Sequence, residues 1–251
     1  MCTELNCLHE GRLGSVSRRD WLRRTLALGA SAAAVGLLGA GRSAGAVSFS
    51  REQRDAMTPD DVITMLREGN QRFRSGAIRT QDFLEQKRAS ASGQYPAAMV
   101  LSCIDSRAPA EIIMDTGIGD IFNARIAGNV ATPGLLGSME FGCAVAGAKL
   151  LMVMGHTACG AIAGSIQGVE LGNLTGVLER IRPAVEATPF QGERISTDRA
   201  FVNAVAHTNV LNTIEVIRQQ SPILAGLADQ GKIKIVGAMY NLEDGQVNFL
   251  T

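Results

Sequence analysis

The chain has 251 residues, 46% hydrophobic and 4% aromatic, and its 24 Lys and Arg balance its 24 Asp and Glu. This apolar content suffices for one sizeable core and excludes a disordered or collagen-like polymer. No basic run follows the N-terminal segment, so nothing supplies the counterion release that drives nucleic-acid binding, and nucleic acid is excluded as a partner.

In chain order, residues 1–46 have the anatomy of an export signal. Ser17-Arg18-Arg19-Asp20-Trp21-Leu22-Arg23 resembles the twin-arginine signature. The uncharged run 25–38 is too short to cross a hydrocarbon core of roughly 30 Å at about 1.5 Å per residue. It reads as a signal core rather than an anchor. Ala44-Gly45-Ala46 supplies the small residues of a cleavage site, which leaves residues 47–251 as a single mature domain without a membrane anchor, periplasmic or otherwise exported. Cleavage takes six arginines and three acids with it and leaves a net charge of −3. Of the cysteines, Cys103, Cys143 and Cys159 remain, an odd number that argues against a disulfide framework.

Thr58-Pro59-Asp60-Asp61 is a helix start, with a capping hydroxyl, a proline in the first turn and acids at the positive end of the dipole. Val62, Leu66 and Phe73 follow at near-helical spacing, so 58–74 is expected as an amphipathic N-terminal helical arm, lying on the main domain or on a second subunit. Another helix is expected over 81–89, before Ser90-Ala91-Ser92-Gly93. The apolar runs 97–102, 150–154 and 233–238 read as buried parallel strands, with a shorter strand at 120–124 ahead of the Gly128 loop. Helices are expected over 133–149, 177–185 and 200–220. This alternation implies right-handed crossovers and an α/β fold, a mostly parallel central sheet flanked by helices. Asp244-Gly245 makes a tight turn into a last edge strand at 246–250.

Function in such sheets gathers beyond the carboxyl ends of the strands. Two motifs leave there, Ser102-Cys103-Ile104-Asp105-Ser106-Arg107 and Gly155-His156-Thr157-Ala158-Cys159-Gly160. In an extended segment Cys103, Asp105 and Arg107 alternate onto one face, and His156 and Cys159, three apart at a helix entrance, can point the same way. Two thiols, an imidazole and the Asp105 carboxylate suit tetrahedral Zn2+, with three strong ligands and one displaceable, as a catalytic zinc needs. Either motif alone is weak; the pair at two strand ends is not. The plainer readings are an ordinary Asp105–Arg107 salt bridge, a core thiol at Cys143, and a helix-face His207 rather than a proton shuttle. Gly128 and Gly155 are expected to allow close backbone approach.

The segments CIDSRAPAEIIMDTGIGDIFNARIAGNV and GHTACGAI resemble the β-class carbonic anhydrases, and the likeness covers most of residues 58–251. The resemblance implies one zinc per chain bound by Cys103, His156 and Cys159, with Asp105 either in the fourth position or swung to Arg107. It implies reversible hydration of CO2 to bicarbonate and a proton by hydroxide held on zinc, with CO2 and bicarbonate as small-molecule partners. It also implies an obligate homodimer or higher homo-oligomer, the first helix embracing the neighbour. Two positions depart from the pattern: Thr116, where many members carry a glutamine that helps hold substrate, and Ile104, where a smaller residue is common and which reads as a packing variation. Two thiolates cancel the charge of zinc where three imidazoles do not, so activity is expected to favour alkaline pH. Two other functions keep the same residues: a non-catalytic zinc or bicarbonate sensor, and a hydrolase of a CO2 analogue such as carbon disulfide. The Asp105–Arg107 pair favours the enzyme over the sensor.

Overall fold

The computed structural model describes residues 48–250, and the expected export signal lies outside the described residues. The described residues open with α1 (Arg51–Ala56), closed at its N-terminus by a capping box between Ser50 and Gln53. The expected arm follows as α2 (Pro59–Ser75), where Thr58 accepts from the Asp61 N–H, Asp61 accepts in return, and Pro59 fills the first turn. Its buried stripe, Val62, Leu66, Gly69 and Asn70, faces the sheet. Then come α3 (Phe83–Ser90), β1 (Ala98–Ser102), the single turn α4 (Ala110–Ile113) and β2 (Ile121–Arg125).

The expected helix over 133–149 is shorter. α5 (Pro133–Glu140) opens into a wide turn at Phe141–Val145, in which the Ala146 N–H reaches back five residues to the Phe141 carbonyl at 2.9 Å. Gly142 lets the turn lie close against β1, since a Cβ there would stand 3.3 Å from Met99 Sδ. The turn stops at Gly147, whose φ of +85° is open to glycine and whose missing Cβ leaves room for the Arg54 guanidinium.

β3 (Leu150–His156) runs two residues further than expected, so His156 is the last strand residue. α6 (Gly160–Gln167) starts directly after Cys159. α7 (Gly172–Ala187) begins five residues ahead of the expected 177, because the Thr175 hydroxyl accepts the Leu171 N–H at 2.9 Å and closes the first turn. α8 (Arg199–Gln220) is capped by Asp198, which accepts the Ala200 and Phe201 N–H groups. α9 (Pro222–Asp229), not expected from sequence, is capped by Ser221. β4 (Lys234–Tyr240) and β5 (Val247–Leu250) end the described chain.

The sheet order is β2-β1-β3-β4-β5, the first four strands parallel and β5 antiparallel to β4. All of β1 and β3 is buried, because helices cover both faces. Val100, Leu150 and Met152 pack with Val62 and Leu66 of α2, whereas Leu101, Leu151 and Val153 pack with Val210 and Ile217 of α8. Each such side chain contributes about 1.5–3 kcal/mol on burial, so the two central strands are the most firmly held part of the fold. Among the described residues, no helix is long and apolar enough to cross a membrane.

Candidate metal centre

β1 and β3 are neighbours with Ser102 paired to Met154, which brings their carboxyl ends side by side. Cys103 follows β1 directly, His156 ends β3, and Cys159 stands at the start of α6 after Ala158, whose φ is +52°. The ligand atoms of these three buried residues lie within 4.8 Å of one another. The sulfurs of Cys103 and Cys159 are 3.9 Å apart, and both cysteines are free. Two sulfurs held at about 2.3 Å on a tetrahedral ion stand about 3.8 Å apart. The thiol pair therefore already has the spacing of one edge of a zinc tetrahedron.

The His156 ring is fixed from behind. Nδ1 lies 2.9 Å from the Thr157 carbonyl, so the proton sits on Nδ1 and the Nε2 lone pair faces the two sulfurs. Nε2 is buried and hydrogen-bonds to no group among the described residues. Leaving such an atom unsatisfied costs about 1–3 kcal/mol, which a metal bond would offset. The donor set and the orphaned nitrogen both fit zinc.

Between the thiols, Cys159 donates to Cys103. That hydrogen bond holds Cys103 well below the ordinary thiol range despite its burial, and the same contact, with burial, pushes Cys159 up. The Gly128 N–H also points at Cys103 Sγ, 3.4 Å away.

Residues 103–107 are not extended, contrary to the sequence reading. The chain turns at Asp105, whose carbonyl accepts the Ala108 N–H at 3.0 Å while its Oδ1 accepts the Arg107 N–H at 3.0 Å. A carboxylate that returns to its own backbone makes this turn, and alternation plays no part. The side chains of Asp105 and Arg107 then meet as a fork, Nε to Oδ1 at 2.9 Å and Nη2 to Oδ2 at 2.7 Å. Asp105 Oδ2 is also 3.8 Å from His156 Nε2, so the carboxylate borders the ligand cluster while Arg107 holds it. The Arg107 hydrogen bonds, against some desolvation, keep Asp105 well below the usual carboxylate range. Arg125 braces the loop by donating to the Cys103 carbonyl at 2.9 Å and to the Asp105 carbonyl.

The remaining residues singled out in the sequence lie elsewhere. Thr116 is buried, donates to the Glu111 carbonyl at 3.3 Å, and lines a cavity of about 470 Å³ that none of Cys103, Asp105, Arg107, His156 and Cys159 lines. Ile104 is 60% exposed, so it is no packing variation. Cys143 is a core thiol pushed up to about 12 by burial, and His207 is exposed on α8. Gly155 does allow a close approach, since a Cβ would lie 2.7 Å from Val210 Cγ2. Sequence reasoning missed Arg125, Asn203 and Asn209, which tie down the ligand loops; α8 also carries Asn212, Gln219 and Gln220, so nothing local singles these two amides out.

Fold and site together define a metalloenzyme of the parallel α/β class, with a two-cysteine, one-histidine centre at the strand ends beside a carboxylate–arginine pair. The family model for carbonic anhydrase matches residues 98–247. Carbonic anhydrase 2 of Mycobacterium tuberculosis is 34% identical over 187 residues, 72% of this chain and 87% of that protein. The carbonic anhydrase of Mycolicibacterium smegmatis is 31% identical over 188 residues, 72% and 88% of the two chains. Among solved structures, the β-carbonic anhydrase CafA of Aspergillus fumigatus superposes with a TM-score of 0.57 at 26% identity, over 66% of this chain and 81% of that one. One of two tetrameric β-carbonic anhydrases of Sordaria macrospora gives 0.56 at 25% identity, over 64% and 83%. The chain belongs to the carbonic anhydrase family, in its β class: it is a zinc enzyme, and its reaction is the reversible hydration of CO2.

Proposed function

We propose that Cys103, His156 and Cys159 hold the zinc, that Asp105 is the displaceable fourth group, and that Arg107 keeps it away from the metal in the working state. The observation that carries this reading is the two-pronged grip of Arg107 on a carboxylate whose Oδ2 stands 3.8 Å from His156 Nε2. When bound, zinc supplies Lewis acidity that makes a water nucleophilic near neutral pH. Asp105, kept ionised by Arg107, accepts a hydrogen bond at Oδ2 and so orients the attacking oxygen. His156 keeps its proton on Nδ1, and Cys103 and Cys159 lie in an apolar cluster with Val130, Ile162 and Phe201, surroundings that suit an uncharged substrate and strengthen local electrostatics.

The working form in this reading is a homo-oligomer. Among the described residues β2 is one edge of the sheet, with the exposed Phe141 ring edge-on to its Phe122. A cavity of about 510 Å³ there is lined by Phe122, Asn123, Leu135 and Phe141, and Asn123 Oδ1 is buried without a partner among the described residues. Such a surface calls for a covering chain. The reading also includes twin-arginine export of residues 47–251 to the periplasm or an equivalent compartment, supported by the paired arginines and small-residue exit of the leader.

The test is stopped-flow CO2 hydration on the mature protein, with zinc measured on the same sample and mass by light scattering. One zinc per chain, turnover well above the buffer rate and a mass of at least two chains are expected. Full zinc without turnover would favour the sensor, and turnover of carbon disulfide in place of CO2 the analogue hydrolase.

A further inference from the structure

α8 passes behind both ligand-bearing loops and offers an amide to each, with opposite polarity. Asn209, 2% exposed, donates from Nδ2 to the Gly128 carbonyl at 2.7 Å. Gly128 has φ +70°, and a Cβ there would lie 2.5 Å from Ile181 Cδ1, so the residue is closely packed against α7 as well. The Gly128 N–H, in the preceding peptide and two torsions from the carbonyl that Asn209 holds, donates to Cys103 Sγ at 3.4 Å. About 9 Å earlier along the helix axis, at about 1.5 Å per residue, Asn203 Oδ1 accepts the Ala158 N–H at 2.8 Å. Ala158 directly precedes Cys159 and holds φ +52°, a conformation that costs an alanine about 1–2 kcal/mol.

We infer that Asn209 and Asn203 are positioning residues of the zinc centre: Asn209, by pinning the Gly128 carbonyl and with it the left-handed backbone of Gly128, sets the N–H···S hydrogen bond on Cys103, and Asn203 holds the left-handed residue that aims Cys159. The inference rests on the zinc assignment above. An N–H directed at a ligand sulfur draws charge from it and fixes its orientation, and outer partners of this kind are worth about 10- to 100-fold in metal affinity. If the two amides merely filled space in the core, their polarity would be immaterial.

Polarity is what the test reads. A carboxylate accepts hydrogen bonds and donates none when ionised, so Asn203→Asp keeps the contact to Ala158, whereas Asn209→Asp loses the contact to Gly128. Zinc affinity is measured by chelator competition, the sulfur-to-metal charge-transfer band is recorded on the cobalt-substituted protein, and circular dichroism checks the fold. Asn203→Asp is expected to hold zinc within about threefold of wild type, and Asn203→Leu to lose about 10- to 100-fold. Asn209→Leu, alike in heavy-atom number and branching and free of a buried charge, decides the second arm if Asn209→Asp does not fold. Both are expected to lose about 10- to 100-fold in affinity and to move the cobalt band to longer wavelength, since a sulfur without its donor gives up charge more readily. A folded Asn209→Leu with unchanged affinity and band would overturn the role of Asn209. Equal losses in Asn203→Asp and Asn203→Leu would overturn that of Asn203. Wild type that binds no zinc would instead overturn the assignment on which both rest.

Discussion

Arg107→Ala separates a catalytic switch from an ordinary surface ion pair. The substitution removes the bonds from Nε and Nη2 but leaves the Arg107 backbone N–H on Asp105 Oδ1. Oδ1 thus stays anchored while Oδ2, the oxygen 3.8 Å from His156 Nε2, is released toward the ligand cluster. If Arg107 only made a salt bridge, its loss would be worth about 0.2–1 kcal/mol, because its side chain is 57% exposed and solvent screens the pair. That is at most about fivefold in rate. If it holds the fourth group away from the metal, the expected loss is on the order of 10²-fold or more in turnover, or at least about 2.7 kcal/mol. The two ranges do not overlap. The assay is stopped-flow CO2 hydration across neutral and alkaline pH on protein with zinc quantified, and Arg107→Lys, which keeps the charge but not the fork, should fall between the two. A zinc-loaded Arg107→Ala that stays within fivefold of wild type would refute the switch and reduce Asp105 to a bystander.

Cys159→Ser and His156→Ala should each lose most of the zinc, since the remaining ligands cannot close the coordination shell; metal analysis showing full occupancy would remove these residues from the ligand set. Activity should rise toward alkaline pH, and Asp105 cannot be the group responsible, because Arg107 holds it ionised well below that range. Its depressed value acts on stability instead: the contribution is complete above the unfolded carboxylate value of about 3.9 and is lost as pH falls through the folded one, a loss that acid unfolding of Asp105→Asn against wild type should not show in the variant. Replacing Arg18 and Arg19 together with lysine should leave precursor in the cytoplasm, and fractionation that finds unchanged export would show the leader to be misread.

The strands were legible because their signal is local. The apolar runs at 97–102 and 150–154 are fully buried β1 and most of β3, and the cap at Thr58-Pro59 marked the arm within one residue. The ligand trio was legible for a related reason: parallel neighbouring strands bring their carboxyl ends together, and the structure brings Cys103, His156 and Cys159 within reach of one ion. What failed depends on contacts from afar. The wide turn at Phe141–Val145 lies with Gly142 close against Met99 of β1, and nothing between 133 and 149 announces that neighbour. Residues 103–107 look alternating in sequence, yet the Asp105 carboxylate returns to the Arg107 N–H and bends them. Asn203 and Asn209 carry no local signal on their helix, because their value lies in the loops opposite.

Proton bookkeeping at the two sulfurs yields the last prediction. Two thiolates 3.9 Å apart would repel by about 4 kcal/mol at an effective dielectric of about 20. Without metal the pair therefore keeps one proton, shared from Cys159 to Cys103, which is why Cys103 is lowered and Cys159 raised. His156 adds to this: burial opposes its protonation, but the neighbouring Cys103 sulfur and the Thr157 carbonyl outweigh burial and raise it above the ordinary imidazole value. A metal that takes all three ligands must displace these protons, since thiolate and neutral imidazole are the binding forms. Zinc uptake by the metal-free protein in weakly buffered indicator solution should accordingly release at least one proton per zinc near pH 8. The number should grow as pH falls through the range where His156 charges, and zinc affinity should fall over the same range. Uptake at pH 8 with no proton released would mean that both thiols are already ionised side by side, and the shared-proton account of the metal-free site would be wrong.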